Sequence, residues 1–296
     1  MNDTAVAAGR LARGLEPLHS QVYFAVEAEP AYTAAGLEPG RMSYFAPRAA
    51  PMGAVGPSVV TATFYNFSPR LVAKSVPRAW ELASPSDLLD VRFAVADASL
   101  RRTLGDDTVA SPEMAEAAGL ARTAAEAVTP DGRPLAAGHL DVPWPTAPHL
   151  VLWHALSILR EHRGDGHIAL LVEAGLEALV TATATGTGFT VAFARGSRGW
   201  SAAEWNAAVA GLADRGLLQP ADTAGDDAVE PVLTEEGTAL RKRIENDTHH
   251  LGAAPWAALG ADGAARLGEL GGTFVRTALA NGAFPAEGVF AARPKG

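Results

Sequence analysis

The sequence contains no cysteine, and that absence removes disulfides, thiolate nucleophiles, cysteine–zinc sites and cysteine-ligated clusters together. Positive charge is also short. Lysine is nearly absent beside arginine, and 24 Lys and Arg stand against 33 Asp and Glu, a formal net charge of −9. Proteins that live on nucleic acid owe most of their affinity to cations that neutralise phosphates, so DNA binding here would require a locally basic patch. No stretch approaches about 18 uninterrupted apolar residues, the length a membrane-spanning helix needs, and no membrane association is expected. Met1 to Pro17 scatters Asp3, Arg10, Arg13 and Glu16 through its apolar residues and does not read as a signal peptide. A cytoplasmic location is the resulting expectation. The P-loop, the Gly-x-Gly-x-x-Gly fingerprint after a strand and the Gly-x-Ser-x-Gly elbow are all missing, and so is the His-Glu-x-x-His zinc pattern. No cofactor and no metal is therefore expected.

What is present is a globular composition, 48% apolar and 19% charged over 296 residues, enough for two modest domains or one large one. Helical periodicity dominates. Ser84 and Ser111, each followed by proline, are N-caps for helices over 85–104 and 112–128. Further helices are expected over 57–67, 69–82, 149–162, 166–181, 201–215, 234–251 and 262–281, with short strands at 190–194 and 232–233. Proline and glycine break the pattern over 38–57 and again over 129–148. The expected fold is all-α, mainly helical: a helical domain over 1–140, then a second domain over 141–296 with long terminal helices.

The densest polar feature is the run from His149 to His167, which holds four of the eight histidines. On a helix, His154, Ser157 and Glu161 share one face, and a carboxylate beside an imidazole would fix its tautomer for acid–base work. His154, Glu161 and His167 are the candidate catalytic residues. Arg160, Trp153 and His162 from the same run, with Tyr44, Arg48 and Tyr65 from the N-terminal half, are the candidate ligand-binding residues. The competing reading is structural: Gly164 ends one helix, Asp165 caps the next, and the neighbouring charges hold a tight corner.

The segment Trp200-Ser201-Ala202-Ala203-Glu204-Trp205, through Asp214-Arg215-Gly216-Leu217-Leu218, to Leu233-Thr234-Glu235-Glu236-Gly237 resembles MarR-type winged-helix regulators. The resemblance covers about a third of the chain. It implies a recognition helix, a small two-stranded β-wing, a long helix opened by Leu-Thr-x-x-Gly, and homodimerisation through the terminal helices. The whole chain also resembles an actinobacterial family described as helix-turn-helix proteins. One departure bears on function. The recognition-helix candidate, 201–213, has no Lys or Arg, and the wing candidate, 219–231, carries Asp222, Asp226, Asp227 and Glu230 with no positive residue. Carboxylates facing phosphates repel them.

Three functional classes follow. One is a small-molecule-binding protein, a cofactor-independent acid/base enzyme of specialised metabolism (isomerase, cyclase or lyase type), on a winged-helix scaffold that has lost DNA binding. The second is a MarR-like, ligand-responsive transcription regulator. The third is a protein-interaction module whose acidic wing meets a basic partner.

Overall fold

The computed structural model describes residues 3–176, 191–222 and 229–285, and these are all-α. Helices α1 (Asp3–Ser20), α2 (Ala28–Ala34), α3 (Met42–Ala49), α4 (Pro57–Phe64), α5 (Pro69–Leu82), α6 (Pro85–Leu104), α7 (Asp106–Val109) and α8 (Pro112–Glu126) are followed by α9 (Pro134–Leu140) and α10 (Pro148–Glu173). Beyond these come α11 (Val191–Arg198), α12 (Ala202–Asp214), α13 (Glu235–Leu251), α14 (Ala254–Ala257) and α15 (Gly260–Ala280). Among the described residues the only β contact is an isolated antiparallel bridge, Leu218 to Leu233. The expected strand at 232–233 is reduced to that bridge. Residues 191–194 of the other expected strand form the first turn of α11. No described helix is long and apolar enough to cross a membrane.

Two compact units are interleaved along the chain. Unit 1 takes Met1–Gly56, Ser75–Gly166 and Thr248–Phe284; unit 2 takes Pro57–Lys74, His167–Asp247 and Pro285–Gly296. The units therefore do not divide near residue 140. Within unit 1, α15 packs against α1, α8 and α6, so the first and last described helices share one core. Leu15, Leu18, Leu88, Met114, Ile158 and Leu267 are buried there. Unit 2 has its own smaller core around Trp205, Val209, Leu212 and Ile244.

Local chemistry explains several helix starts. Ser84 accepts from the Asp87 amide and Ser111 from the Met114 amide, each at 3.1 Å, so two of the otherwise orphaned N-terminal amides are satisfied. Ser201 and Glu204 form a full capping box at the start of α12. The turn joining α11 to α12 contains Gly199 at φ 74°, a left-handed conformation that glycine adopts freely, and a Cβ there would strike Leu71. The Leu-Thr-x-x-Gly signature has an equally physical basis. The Thr234 hydroxyl accepts from the Gly237 amide at 3.0 Å and donates to the Gly216 carbonyl, and a Cβ on Gly237 would sit on the Leu217 carbonyl oxygen.

Two proline- and glycine-rich stretches expected to be irregular contain helices, α3 in 38–57 and α9 in 129–148. Pro47 lies inside α3, but α3 is only two turns long. The larger correction concerns Gly164-Asp165-Gly166. No corner forms: α10 runs unbroken from Pro148 to Glu173. Gly166 instead makes room for Arg133, whose guanidinium lies against it and donates to the His162 carbonyl. Asp165, expected to cap a new helix, caps α9, accepting from the Leu135 and Ala136 amides at 3.1 and 3.0 Å. The sequence Gly-Asp-Gly receives the start of α9, and this tertiary contact overrides the local breaking tendency of glycine.

Candidate functional site

Helix α10 is buried on every side from Leu152 to Leu159, so every polar residue on this stretch meets the interior of unit 1. Glu161, 1% exposed, is the centre of an ionic chain. Arg48 reaches it with a two-pronged contact, Nε to Oε1 at 3.3 Å and Nη2 to Oε2 at 3.1 Å. Arg160 donates to Oε2 at 2.6 Å. Beyond Arg48 the Tyr44 hydroxyl lies 3.2 Å away, and beyond Arg160 a Glu16 carboxylate oxygen is at 3.7 Å. Burial pushes the Glu161 carboxyl up, but Arg160 and Arg48 outweigh it and hold it well below the usual range. Two guanidinium groups on one carboxylate keep it ionised, so it is a structural anchor and no proton acceptor near neutrality.

Of the candidate residues, the structure brings Tyr44, Arg48, Arg160 and Glu161 into one chain of contacts, whereas the expected pairing of His154 with Glu161 does not form. Seven residues apart on one helix, the two are separated by roughly 10 Å of axial rise. His154 is enclosed instead by rings: Trp144 at 4.9 Å and Phe93 at 5.6 Å between centroids, with His139 at 6.1 Å. Its Nε2 has no hydrogen-bond partner. Burial, reinforced by the charge of Arg92, pushes the His154 imidazole down to about 4. Trp153 packs below the Arg92 guanidinium, 5.1 Å from ring centre to Cζ, and its indole donates to the His19 carbonyl at 3.3 Å. His162 is buried beside Arg133, which adds to burial in lowering its imidazole to about 4. His167 and Tyr65 belong to unit 2, where Tyr65 donates to the Leu176 carbonyl. His249 is buried in unit 1 and lies 3.0 Å from an Arg13 nitrogen.

Five residues of the same interior were missed: Glu16, His19, Tyr23, Arg92 and His139. Arg92 had a readable signal, since it interrupts the buried stripe Leu88, Val95, Ala96 and Ser99 on α6. His19 likewise sits among Leu15, Leu18 and Val22, and its ring stacks on Trp153 at 6.1 Å. His139 gave no signal, because its stretch did not read as a helix. Among the described residues, no group of three or more His, Asp or Glu is placed to hold a metal.

Unit 2 is built differently. Helix α11, the Gly199 turn and α12 follow one another as a helix-turn-helix. The chain belongs to a helix-turn-helix family. The family model matches residues 8–285, nearly the whole sequence and both units. No curated protein and no solved structure matches the chain. In this family member the exposed positions of α12 are Ala203, Ala207, Gly211 and Asp214. Glu204, at its start, is gripped by Arg70 through two 2.7 Å contacts, and with the Ser201 amide these hold the carboxyl near 2. Arg195 and Arg198 are half-buried: Arg195 donates to the Trp200 carbonyl, and Arg198 lies over the Phe67 ring. Arg241, Lys242 and Arg243 are exposed on α13. Of the acidic wing residues, Asp222 and Glu230 are exposed, while Asp226 and Asp227 lie outside the described residues. A depression of about 440 Å³ in unit 2 is lined by Arg215, Glu236, Leu240 and Arg243. Arg215 is already committed there to the Ala174 and Gly175 carbonyls.

Proposed function

We propose that this helix-turn-helix family member is a small-molecule-binding protein in which unit 1 is the receptor body and unit 2 is a winged helix that has lost its grip on DNA. One observation carries the reading: among the described residues, every buried charged or imidazole side chain lies in unit 1. Clustered, perturbed titratable groups are costly to keep in a core and concentrate where ligands bind or protons move. A protein that needed only a scaffold for DNA reading would gain nothing from six buried histidines. Should unit 1 also do chemistry, acid–base work of the isomerase, cyclase or lyase type falls to His139, neither of whose ring nitrogens has a partner, or to His154, whose Nε2 has none, and Glu161 serves as the anchor.

A ligand-responsive regulator is the second reading, and the helix-turn-helix path of α11 and α12 favours it. Against it stands the charge on the reading face: α12 carries no Lys or Arg, and the wing's Asp222 and Glu230 would meet phosphates of the same sign. Two measurements separate the readings. Thermal-shift screening of the whole chain with metabolites should give stabilisers whose effect vanishes in His139→Gln. Gel shifts with generic and genomic duplexes at low ionic strength should show no complex. A salt-sensitive, sequence-selective complex would replace the first reading with the second.

A further inference from the structure

Arg92 is 2% exposed, yet among the described residues no carboxylate touches it. Its Nη1 reaches the Pro47 carbonyl at 3.4 Å and its Nη2 the Tyr23 hydroxyl at 3.2 Å, both neutral partners, and its flat face covers Trp153. Glu161, the buried carboxylate of the same interior, is already held by Arg48 and Arg160. A buried cation without a counter-charge is among the least tolerated groups in a protein core. Beside it stands His139, also 2% exposed, with neither ring nitrogen partnered. His154 adds an unpartnered Nε2 at one ring's distance. After burial, the charge of Arg92 is the main influence depressing both imidazoles, so the three groups share one field. His139 and His154 thus lie ring to ring, 6.1 Å between centroids, within the field of a buried guanidinium that has no counter-charge, and hydrogen-bonding capacity is left unused. The walls around them are aromatic: Phe93 and Trp144 against His154, and Trp153 beneath Arg92.

We infer that unit 1 binds a small organic carboxylate with a flat apolar body, the carboxylate lying between Arg92 and His139 and the body against Trp144, Phe93 and Trp153. This inference rests on the reading of unit 1 as the receptor body and adds the chemical class of its ligand. A guanidinium fork matches a carboxylate in two parallel hydrogen bonds, and a neutral imidazole can donate a third. One guanidinium with two neutral imidazoles supplies a single positive charge, which suits a monoanion better than a phosphate dianion. A metal cation is disfavoured by the same guanidinium. Flat rings seat well against aromatic faces and edges.

The test uses the full chain with sodium benzoate and benzamide, which share a ring and differ in charge, and with acetate, which has the charge alone. Calorimetry and thermal shift should show benzoate binding and stabilising, with benzamide and acetate at least about tenfold weaker, as expected for loss of a charge-assisted contact or of the ring. Arg92→Gln should weaken benzoate by a similar factor. Because Arg92 also supports Tyr23 and Trp153, His139→Gln is the companion variant; it keeps a neutral donor and acceptor, should retain the native circular dichroism, and should still lose benzoate affinity severalfold. Equal benzoate binding in the wild type and in folded His139→Gln overturns the site. Benzamide binding as tightly as benzoate, with His139 dependence, overturns the carboxylate assignment and leaves the receptor reading of unit 1 standing. No binding of either ring compound up to about 10 mM overturns the assignment of the ligand class, and metabolite screening that also finds no stabiliser then removes the receptor reading with it.

Discussion

In unit 1, Arg48, Arg92, Glu161, Asp165 and six histidines lie nearly out of reach of water, whereas the buried polar side chains of unit 2 are Thr63, Ser68, Ser197 and Asn206, none of which titrates. Unit 2's charges stay at its surface, as in the Arg70–Glu204 pair, whose side chains are 63% and 33% exposed. Both units are helical and apolar in bulk, so composition alone would not separate them. The difference lies in what each interior must tolerate. A buried hydroxyl or amide is satisfied by one neighbouring backbone group. A buried charge needs an opposing charge, and two carboxylates and two guanidiniums in one interior demand specific geometry that every folding chain must reproduce. Unit 1 therefore invests stability in polar arrangement, and unit 2 in packing.

Removing a charge should break this contrast most visibly. Glu161→Gln would leave Arg48 and Arg160 facing each other without their counter-ion, and the loss should be about 3–5 kcal/mol by denaturant titration. A loss below about 1 kcal/mol would mean that the ionic chain is solvated and that the two interiors are alike. Acid should act next. His154 and His162 sit near 4 in the folded protein, against about 6.5 when unfolded, so the unfolded state takes up protons first. Stability is thus retained above pH 6.5 and falls as pH drops towards 4, by up to roughly 3 kcal/mol for each histidine. Asp165, raised by burial to about 6, works the other way: the folded state binds its proton first, which adds stability between about 6 and 4. Melting temperatures between pH 7.5 and 4.5 should fall on balance, and His154→Gln should flatten the slope.

Unit 2 is sensitive to shape. Gly237→Ala drives a methyl group onto the Leu217 carbonyl, and a loss of about 1–3 kcal/mol is expected, read as a lower melting temperature. Its surface charge should matter least. Glu204→Gln removes an exposed pair and part of the capping box, and should cost no more than about 1 kcal/mol. If Glu204→Gln proved as damaging as Glu161→Gln, burial would not be what distinguishes the two pairs.

Legibility in the sequence follows the range of the forces involved. Helices α5, α6, α8, α12, α13 and α15 were readable because their caps and apolar stripes act within a few residues. Helices α3 and α9 were not, since proline and glycine dominate their flanks and only packing in unit 1 holds them. The polar cluster on α10 was visible as a cluster, but Arg48 was read as a ligand-binding candidate and not as a partner of Glu161. Its internal pairing was not visible. His154 and Glu161 share a helical face, but neighbours from α3, α6 and α9 decided that one would be walled in by rings and the other clamped by two arginines.

By itself the sequence determined the helical class, the absence of thiol chemistry, many helix starts and the lack of any Lys or Arg on α12, because each depends on residue identity or on spacing along one helix. Only the tertiary structure decided that the first and last described helices share a core, that Gly-Asp-Gly meets the start of α9 inside an unbroken helix, and that Arg92 is buried without a counter-ion and His139 without a hydrogen-bond partner. Those outcomes depend on groups tens of residues apart meeting where water is excluded, and there the cost of burial makes every missing partner count.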